Sequence, residues 1–281
     1  MIYVLLLLLV TVVWGWTFVV VKDAVSQYPT VPFLAIRFGL ALLVLAPWIR
    51  RLPSRRELGV GAVVGALLAA GYFFQTLGLN YTSPGNSGLI TGLFVVFTPL
   101  LERFTGRPVG ARTLAAVLVA LAGTVLLAGG GAGGIGVGDL LTLACAIAFA
   151  LHIVLLSRWS PGLQPASLAL VQMAFVALVF GAASGGRFPA PPPYVWFAVV
   201  VTGVLASALA FYLQTWAQAH LSASRTAVIF AGEPAWALFF SVWLYGQRLN
   251  LVQAVGAALV LAAILGHELA PLKSRVHHDS G

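Results

Sequence analysis

Gly71-Tyr72-Phe73-Phe74-Gln75-Thr76 returns later in the chain as Ala210-Phe211-Tyr212-Leu213-Gln214-Thr215. The two stretches are 139 positions apart, the difference between 214 and 75, and the same shift pairs Ser83 with Ser222. Because 139 is close to half of the 281 residues, we interpret the chain as two copies of one unit. Repeated halves in a membrane protein usually enclose one site that opens to each side in turn. The repeat therefore makes a transporter the first hypothesis.

The composition excludes an ordinary soluble domain. Hydrophobic residues make up 60% of the chain and charged residues only 8%, whereas soluble domains carry about 25% charged residues. Ten spans of about 20 apolar residues each would occupy most of the chain and leave short loops. The single cysteine, Cys145, lies in an apolar stretch, so we expect a buried thiol and no metal motif. No nucleotide motif is present, and we expect no cofactor.

The apolar pattern predicts an all-α integral membrane protein with ten transmembrane helices, arranged as two inverted five-helix repeats around a central cavity. The first repeat covers residues 1–128, a Gly-rich linker residues 129–138, the second repeat residues 139–270 and a tail residues 271–281. Five spans per repeat is an odd number, so the second repeat must enter the membrane from the opposite face. The predicted spans are Ile2–Val21, Pro32–Ile49, Leu58–Leu79, Gly85–Phe104, Leu114–Ala128, Asp139–Leu156, Ala166–Ala183, Tyr194–Ala219, Ala223–Tyr245 and Leu251–Leu269.

The basic residues predict the orientation. Most of them fall in joints that share one side of the predicted bundle, and the others are Lys22, Arg187, Arg248 and the intramembrane Arg37. The positive-inside rule makes the basic side cytoplasmic, so we expect a cell (inner) membrane protein with both termini in the cytoplasm. The net charge of +8 is then a topology signal, with lipid headgroups and no nucleic acid as partners. We expect a monomer. The residues on the basic side are Arg50, Arg51, Arg55, Arg56, Arg103, Arg107, Arg112, Arg158, Arg225, Lys273 and Arg275.

Several motifs resemble those of the EamA family of the drug/metabolite transporter superfamily. The most specific stretch is Thr91-Gly92-Leu93-Phe94-Val95-Val96-Phe97-Thr98-Pro99. Trp14-Gly15-Trp16-Thr17-Phe18, Arg37-Phe38, Thr82-Ser83-Pro84-Gly85-Asn86-Ser87, Ser222-Ala223-Ser224-Arg225-Thr226-Ala227 and Glu233-Pro234 also fit. The resemblance implies ten helices, a central cavity and export of amino acids or other small metabolites. Gly246-Gln247-Arg248 departs from the glycine-glutamate-arginine that is frequent in that family.

Three ionisable residues are the strong candidates for function, because they lie well inside predicted spans. A charge there costs roughly 3 kcal/mol on insertion scales and therefore indicates function by default. Arg37 is expected to attract a substrate carboxylate, or else to extend to the headgroups or clamp helix ends. Glu233 is expected to take up a coupling proton, or else to accept hydrogen bonds in a structural role. His152 is expected to be neutral and to face the cavity.

Aromatic and amide side chains suggest the rest of a substrate cavity. Tyr72 and Gln75 share a helix face, and Gln214 repeats the position of Gln75 in the second half. Such a lining would suit a zwitterion with an apolar side chain, although tryptophan and tyrosine also form belts at membrane interfaces. The predicted substrate-binding residues are Trp14, Trp16, Tyr72, Gln75, Asn86, Thr91, His152, Gln214 and Trp236.

Two prolines predict hinges. Pro99 and Pro234 lie in corresponding spans and each removes one helical hydrogen bond. Interrupted helices at matching places in two halves point to a site or a hinge, and we expect the hinge.

Two other functions stay open. An importer or facilitator would share every feature above. An intramembrane enzyme is the alternative of another class, because Gly85-Asn86-Ser87-Gly88 matches the G-x-S-G of rhomboid proteases and His152 is available as a base. Such a four-residue pattern is frequent by chance, so we expect a carrier of small molecules and no enzyme.

Overall fold

The computed structural model describes residues 2–104, 106, 109–128, 136–246 and 250–269. All regular elements in those ranges are helical, and eight stretches are long and apolar enough to cross a membrane, with Ala111–Gly123 a shorter apolar helix. The predicted all-α membrane fold is confirmed. The helices are α1 Ile2–Gln27, α2 Thr30–Leu45, α3 Arg55–Gly78, α4 Pro84–Thr91, α5 Phe94–Phe104, α6 Ala111–Ala128, α7 Val137–Trp159, α8 Pro165–Ala183, α9 Pro193–Val200, α10 Ala210–Gln218, α11 Ala223–Phe230, α12 Gly232–Tyr245 and α13 Leu251–Leu269.

Local sequence signals explain where several helices begin. Ser54 and Glu57 form a reciprocal capping box at the start of α3, with Ser54 Oγ accepting from the Glu57 amide at 3.2 Å. Pro84, Pro165 and Pro193 stand at the first positions of their helices, where a missing amide proton costs nothing. The chain therefore fixes these helix starts through its own side chains.

Helix boundaries keep the 139-residue shift that the sequence shows. Helices α4 and α11 each contain eight residues, and Pro84 to Ala223 and Thr91 to Phe230 are both steps of 139. Each helix has an N-cap serine whose Oγ accepts from the backbone N–H three residues later. Ser83 accepts from Asn86 at 3.1 Å, and Ser222 accepts from Arg225 at 3.3 Å. The two halves thus build the same helices from different side chains.

One end of the bundle, here called the basic end, gathers the loops that carry most arginines. Glu57 Oε1 accepts from the Gln164 amide at 3.0 Å, which ties the start of α3 to the α7–α8 loop. Glu102 accepts from the amide of Ser224 at 2.9 Å and from its hydroxyl, which ties the end of α5 to α11. Tyr3, at the start of α1, stacks on His220 with ring centroids 4.6 Å apart. The first half therefore begins at this end.

The opposite end is held by a different set of contacts. Lys22 Nζ donates to the carbonyl of Thr82 at 3.2 Å, and Thr82 Oγ1 donates to Asp139 Oδ1 at 2.9 Å. Tyr28 donates to the carbonyl of Pro189 at 2.7 Å. Because Asp139 lies in the first turn of α7, the second half begins at the end where Lys22 lies. The two halves therefore start at opposite ends of the bundle.

Pairs of helices from different halves make up the most extensive packing, with α6 against α13, α3 against α7, α2 against α8 and α1 against α12. Close approach depends on small residues, as expected between apolar helices that pack by contact. A Cβ on Gly61 would lie 2.5 Å from Val171, and one on Gly88 would lie 2.6 Å from the Cβ of Ala237. The halves are interlocked along their whole length and are not two separate bundles.

Three predictions about chain organisation meet the structure differently. Helix α7 begins at Val137 and so takes in the last two residues of the predicted linker. Residues 129–135 of that linker and the tail from 270 lie outside the described residues. The crossing of the membrane by all ten predicted spans and the cytoplasmic position of both termini stay predictions.

Helix α5 continues through Pro99, which therefore does not end a helix. The helix breaks instead at Gly92 and Leu93, between α4 and α5, and the second half breaks at Ala231, which is 139 residues after Gly92. Glycine has low helix propensity, and Pro234 crowds Gly92, since a Cβ there would lie 2.5 Å from Pro234 Cγ. The hinge role of Pro99 and Pro234 stays a prediction.

Candidate functional site

A central cavity lies between the two halves. Both halves supply its walls, through α1, α2, α3 and α5 of the first and α7, α10, α11 and α12 of the second. Seven of the predicted site residues line it. The lining residues are Trp14, Thr17, Phe18, Val21, Arg37, Leu68, Tyr72, Gln75, Leu79, Phe94, Phe149, His152, Ile153, Phe211, Gln214, Phe230 and Glu233.

The correspondence at 139 positions extends to residues of the cavity wall. Four pairs of lining residues are related by the shift of 139 positions, so equivalent places in both halves face one space. Helical spacing explains the face of α1, because positions 14, 17, 18 and 21 lie on one side of a helix. The pairs are Trp14 with Ile153, Tyr72 with Phe211, Gln75 with Gln214 and Phe94 with Glu233.

Arg37 is the buried cation of the cavity. Its side chain is 2% exposed, and its Nε donates to Ser207 Oγ at 3.0 Å. The guanidinium carbon lies 4.4 Å from the centre of the Tyr72 ring, a distance at which the ring attracts a cation. Among the described residues, no carboxylate forms an ion pair with Arg37. The positive charge is therefore oriented and left available to an anion in the cavity.

A π-helical segment, Val201–Leu209, holds Arg37 and Trp14 in place. Between α9 and α10 the chain widens into this segment, whose Ala206 carbonyl accepts from Trp14 Nε1 at 2.9 Å. Ser207, in the same segment, accepts from Arg37. Segments of π-helix are rare and are frequently found at functional sites. The irregular backbone thus lies where the two lining residues are anchored.

Glu233 is the buried carboxyl group of the cavity. It lies in the first turn of α12 and is 5% exposed. In the part of the chain that the structure describes, the Glu233 carboxyl group makes no hydrogen bond or ion pair. A carboxyl group that is buried without partners carries a large desolvation penalty when it is ionised. Glu233 therefore suits a group that binds a cation or takes up a proton.

Amide side chains hold the polar residues of the second half. His152 Nε2 lies 2.8 Å from Gln172 Oε1, and the ring edge of His152 meets Phe211 at 5.9 Å between centroids. Gln214 Nε2 donates to Gln218 Oε1 at 2.7 Å. In the first half, Gln75 Nε2 donates more loosely to Thr91 Oγ1, at 3.4 Å. The second half therefore fixes its polar lining residues more firmly than the first.

Four predicted binding residues lie outside the cavity lining. Trp16 is two positions from Trp14, on the other side of α1, and lines a separate cleft beside Asp23 and Tyr194. Asn86 is half-buried in the first turn of α4. Its backbone N–H donates to Ser83 Oγ and so completes the N-cap of that helix. Thr91 is buried and accepts a hydrogen bond from Gln75, which does line the cavity.

Trp236 is the fourth of these residues. Its backbone and Cβ pack against α1, since a Cβ on Gly15 would lie 2.4 Å from Trp236 Cβ, and its ring meets Phe239 and Phe240. Any effect of Trp236 on a substrate therefore acts through helix packing.

Sequence reasoning missed two residues that hold the cavity lining. Gln172 and Ser207 are both fully buried and contact His152 and Arg37 respectively. A glutamine inside an apolar span is itself a signal, because its amide must find partners away from water. Ser207 carries no such signal, because serine is common in membrane helices and its partner lies 170 residues away.

The protease-like pattern does not assemble a nucleophile and base. Ser87 Oγ lies 3.5 Å from Thr142 Oγ1, and His152 Nε2 bonds to Gln172. No cluster of three or more histidine, cysteine or acidic residues that could hold a metal occurs within the described residues. Cys145 is buried and free.

A comparison with protein families matches most of the chain to one family. The sequence model of the EamA-like transporter family matches residues 1–129 and 136–267. An uncharacterized transporter of Archaeoglobus fulgidus is 32% identical over 263 residues, which cover 92% of this chain and 83% of the relative. The uncharacterized inner membrane transporter YedA of Escherichia coli K12 is 23% identical over 93% of this chain and 90% of its own length.

Two further matches concern function and fold. A probable amino-acid metabolite efflux pump of Escherichia coli K12 is 30% identical over 174 residues, which cover 59% of this chain and 57% of the pump. A solved crystal structure superposes with a TM-score of 0.80 at 21% identity, covering 99% of both chains. The fold of that structure and the fold described here are the same.

Proposed function

Because the chain belongs to the EamA-like transporter family, we propose that this membrane transporter exports amino acids or closely related zwitterionic metabolites by alternating access. The observation that carries the proposal is the polarity of the central cavity. Arg37 and Glu233 are both buried in its wall, and they do not pair with each other. An ionised group inside a membrane needs a functional reason. A substrate with a carboxylate and an ammonium group would satisfy both charges at once.

The apolar part of the wall supports the same class of substrate. Phe149, Phe211 and Phe230 surround the polar groups, with Trp14 and Tyr72 beside them. Aromatic walls with a few placed polar groups are typical of small-molecule sites. This lining suits an amino acid with an aromatic or large apolar side chain. The limited similarity to a probable amino-acid metabolite efflux pump favours export.

The two ends and the breaks support alternating access. A hydrogen bond from Tyr28 to Pro189 joins the two halves at one end, and one from Gln164 to Glu57 joins them at the other. The breaks of the two halves meet where Pro234 packs against Gly92. Breaking one end contact while the other holds would expose the cavity to one side. Glu233 is the group that we expect to couple this movement to a proton.

Counterflow in liposomes tests the proposed substrate class. The purified full-length protein would be reconstituted and loaded in turn with unlabelled amino acids, nucleosides or sugars, and the accumulation of the radiolabelled compound measured. We expect accumulation with amino acids and none with sugars or with protein-free liposomes. Counterflow of sugars or nucleosides in the absence of amino-acid counterflow would reject the proposal.

Direction and catalysis are the open alternatives. Imposing a proton gradient of either sign on oriented proteoliposomes separates an exporter from an importer, and flux that ignores the gradient indicates a facilitator. Incubation with a membrane-tethered peptide substrate tests the enzyme alternative, with Ser87→Ala as the control variant. Cleavage that is lost in Ser87→Ala would make the protein a protease.

A further inference from the structure

The second-half wall of the cavity contains two hydrogen-bond relays that start at backbone carbonyl groups. In the first, Gln218 Nε2 donates to the carbonyl of Ile153 at 2.9 Å and to Ser157 Oγ at 2.6 Å. In the second, Gln172 Nε2 donates to the carbonyl of Leu168 at 3.2 Å. A carbonyl oxygen can only accept a hydrogen bond. The carbonyl group at the start of each relay therefore fixes which end of the glutamine amide donates and which accepts.

The Gln218 relay leaves one acceptor, Gln214 Oε1, without a hydrogen-bond donor from the described residues. Both amide hydrogens of Gln218 are used, so its Oε1 accepts from Gln214 Nε2 at 2.7 Å. Gln214 must then turn its own Oε1 away from Gln218. That oxygen is buried and has no hydrogen-bond partner among the described residues, although Gln214 lines the cavity and is 2% exposed. A buried acceptor without a partner costs free energy unless a ligand supplies the donor.

The Gln172 relay fixes the tautomer of His152. Gln172 donates its second amide hydrogen to Thr215 Oγ1 at 3.3 Å, so its Oε1 is the atom that faces His152 Nε2, 2.8 Å away. An oxygen without a hydrogen can only accept, so Nε2 carries the ring proton. In the neutral imidazole the other nitrogen, Nδ1, is then an acceptor. His152 also lines the cavity.

We propose that Gln172 and Gln218 are positioning residues that preset His152 Nδ1 and Gln214 Oε1 as a pair of acceptors for the ammonium group of the substrate. The inference rests on the proposed function and makes it more specific. When Glu233 is ionised, it adds a third acceptor to Gln214 Oε1 and His152 Nδ1 in the second-half wall, whereas the Arg37 guanidinium of the first half only donates. The cavity thus distinguishes the two ends of a zwitterion. Substrates without an amine would leave the acceptors unpaired, which is the strongest form of rejection that hydrogen bonding offers.

Three small probes separate the amine subsite from the carboxylate subsite. L-phenylalanine has both groups, phenethylamine has only the amine and 3-phenylpropionate has only the carboxylate. Their binding to the purified full-length protein would be measured by isothermal titration. We expect L-phenylalanine to bind at least tenfold more tightly than 3-phenylpropionate, which lacks the amine, because hydrogen bonds to a charged donor contribute about 1.5–3 kcal/mol.

Relay variants test positioning. Gln218→Leu leaves the side-chain amide of Gln214 free to rotate. It should weaken the binding of phenethylamine about tenfold and leave the binding of 3-phenylpropionate unchanged. Gln172→Leu, which frees the tautomer of His152, is an independent second variant with the same expectation. Ser157→Ala should change little, because the Ile153 carbonyl still sets the direction of the relay. Gln27→Leu is the matched control, since Gln27 is exposed at the end of α1.

The outcomes are distinct from those of the flux assay. Equal affinity for L-phenylalanine and 3-phenylpropionate in the parent protein overturns the inference, and so does the absence of any amine binding. It is also overturned when the relay variants, checked by their unfolding temperature, weaken all three probes equally or weaken none. Binding that needs sodium and not the amine would assign the acceptors to a metal cation. Amine-selective binding without counterflow of any amino acid would reject the transport proposal and keep the acceptor pair.

Discussion

The two halves of the molecule share their helices and differ in their charges. Residue by residue, the shift of 139 positions pairs Arg37 of the first half with Val176 of the second, and Glu233 of the second half with Phe94 of the first. Val176 is buried in the core, whereas Arg37, Phe94 and Glu233 line the cavity. The correspondence at 139 positions therefore holds for the helices, whereas the polarity of the site lies where the paired residues differ. One cation and one carboxyl group suffice to distinguish the two walls.

A second difference lies in the backbone. Helix α3 is continuous, but its counterpart is α9 and α10 with the π-helical segment Val201–Leu209 between them. The segment supplies the acceptors for Trp14 and Arg37. Across the bundle, the equivalent of Ser207 is Leu68, which lines the cavity without a polar atom. Regular geometry is thus kept in one copy of the unit and given up in the other, where a charged side chain must be held.

The largest expected effect concerns the opposite directions of the halves. In a Cys145→Ala background, single cysteines would be placed at Leu52 and Pro161, near the Glu57–Gln164 contact, and at Tyr81 and Arg187 near the other end. Because contacts gather these loops at two ends, we expect a membrane-impermeant maleimide to label Leu52→Cys and Pro161→Cys from one face only. It should label Tyr81→Cys and Arg187→Cys from the other face only. Labelling of Leu52→Cys and Tyr81→Cys from the same face would contradict the assignment of these loops to opposite ends of the bundle.

The sequence predicts this scaffold well because apolar length and repeated motifs are local signals. The same signals identify Tyr72 and Gln214 as equivalent to Phe211 and Gln75, and all four line the cavity. Predictions fail where the answer depends on the direction in which a side chain points. Trp16 belongs to the same motif as Trp14 but lies on the other side of α1.

The π-helical segment and the relays could not be predicted at all. They depend on hydrogen bonds between residues far apart in the chain, such as Gln218 with Ile153, 65 positions away, and Arg37 with Ser207. Residue type alone does not tell which amide will meet which carbonyl group. Sequence periodicity therefore finds the faces that line the cavity, and tertiary packing decides how each polar group is presented.

Removal of the first-half cation should have the next largest effect. Arg37→Leu removes the donor that we assign to the substrate carboxylate. Hydrogen bonds to charged groups contribute about 1.5–3 kcal/mol, so binding of L-phenylalanine should fall roughly 10- to 100-fold. Phenethylamine, which has no carboxylate, should bind as before, and titration of both ligands measures the difference.

The controls for this change separate charge from geometry. Arg50→Leu removes an exposed arginine at the basic end and should leave both affinities unchanged. Arg37→Lys keeps the charge but loses the planar donor that meets Ser207, so an intermediate loss is expected. Equal losses for L-phenylalanine and phenethylamine in Arg37→Leu would show that Arg37 is structural and that the halves do not divide the zwitterion between them.

Substitution of the second-half carboxyl group should have a smaller effect on binding and a clear effect on coupling. Glu233→Gln keeps the shape and cannot release a proton, so transport should lose its dependence on pH while the protein folds normally. We expect proton-driven accumulation to fall by about tenfold or more, because a pH difference of one unit is worth about 1.4 kcal/mol per proton. Uptake into proteoliposomes across a series of pH values measures this.

Glu233→Asp is the matched control, because it keeps a group that can titrate. It should retain the slope of the pH profile even if the rate falls. A wild-type pH profile with normal flux in Glu233→Gln would remove the coupling role and leave Glu233 as an acceptor for the substrate amine.

The smallest expected effect tests the contact between the two breaks. At Gly92 a Cβ would lie 2.5 Å from Pro234 Cγ, whereas the equivalent residue of the second half, Ala231, already has one. Gly92→Ala should therefore force the breaks apart, with an overpacking cost of about 1–3 kcal/mol and a several-fold loss of counterflow. Gly39→Ala is the matched control, because nothing lies within 4 Å of its Cβ position, and alanine there should stabilise α2 slightly. Unfolding temperature and counterflow rate of both variants would decide the matter. If Gly92→Ala and Gly39→Ala have the same unfolding temperature and counterflow rate, the contact between Gly92 and Pro234 is not needed for transport.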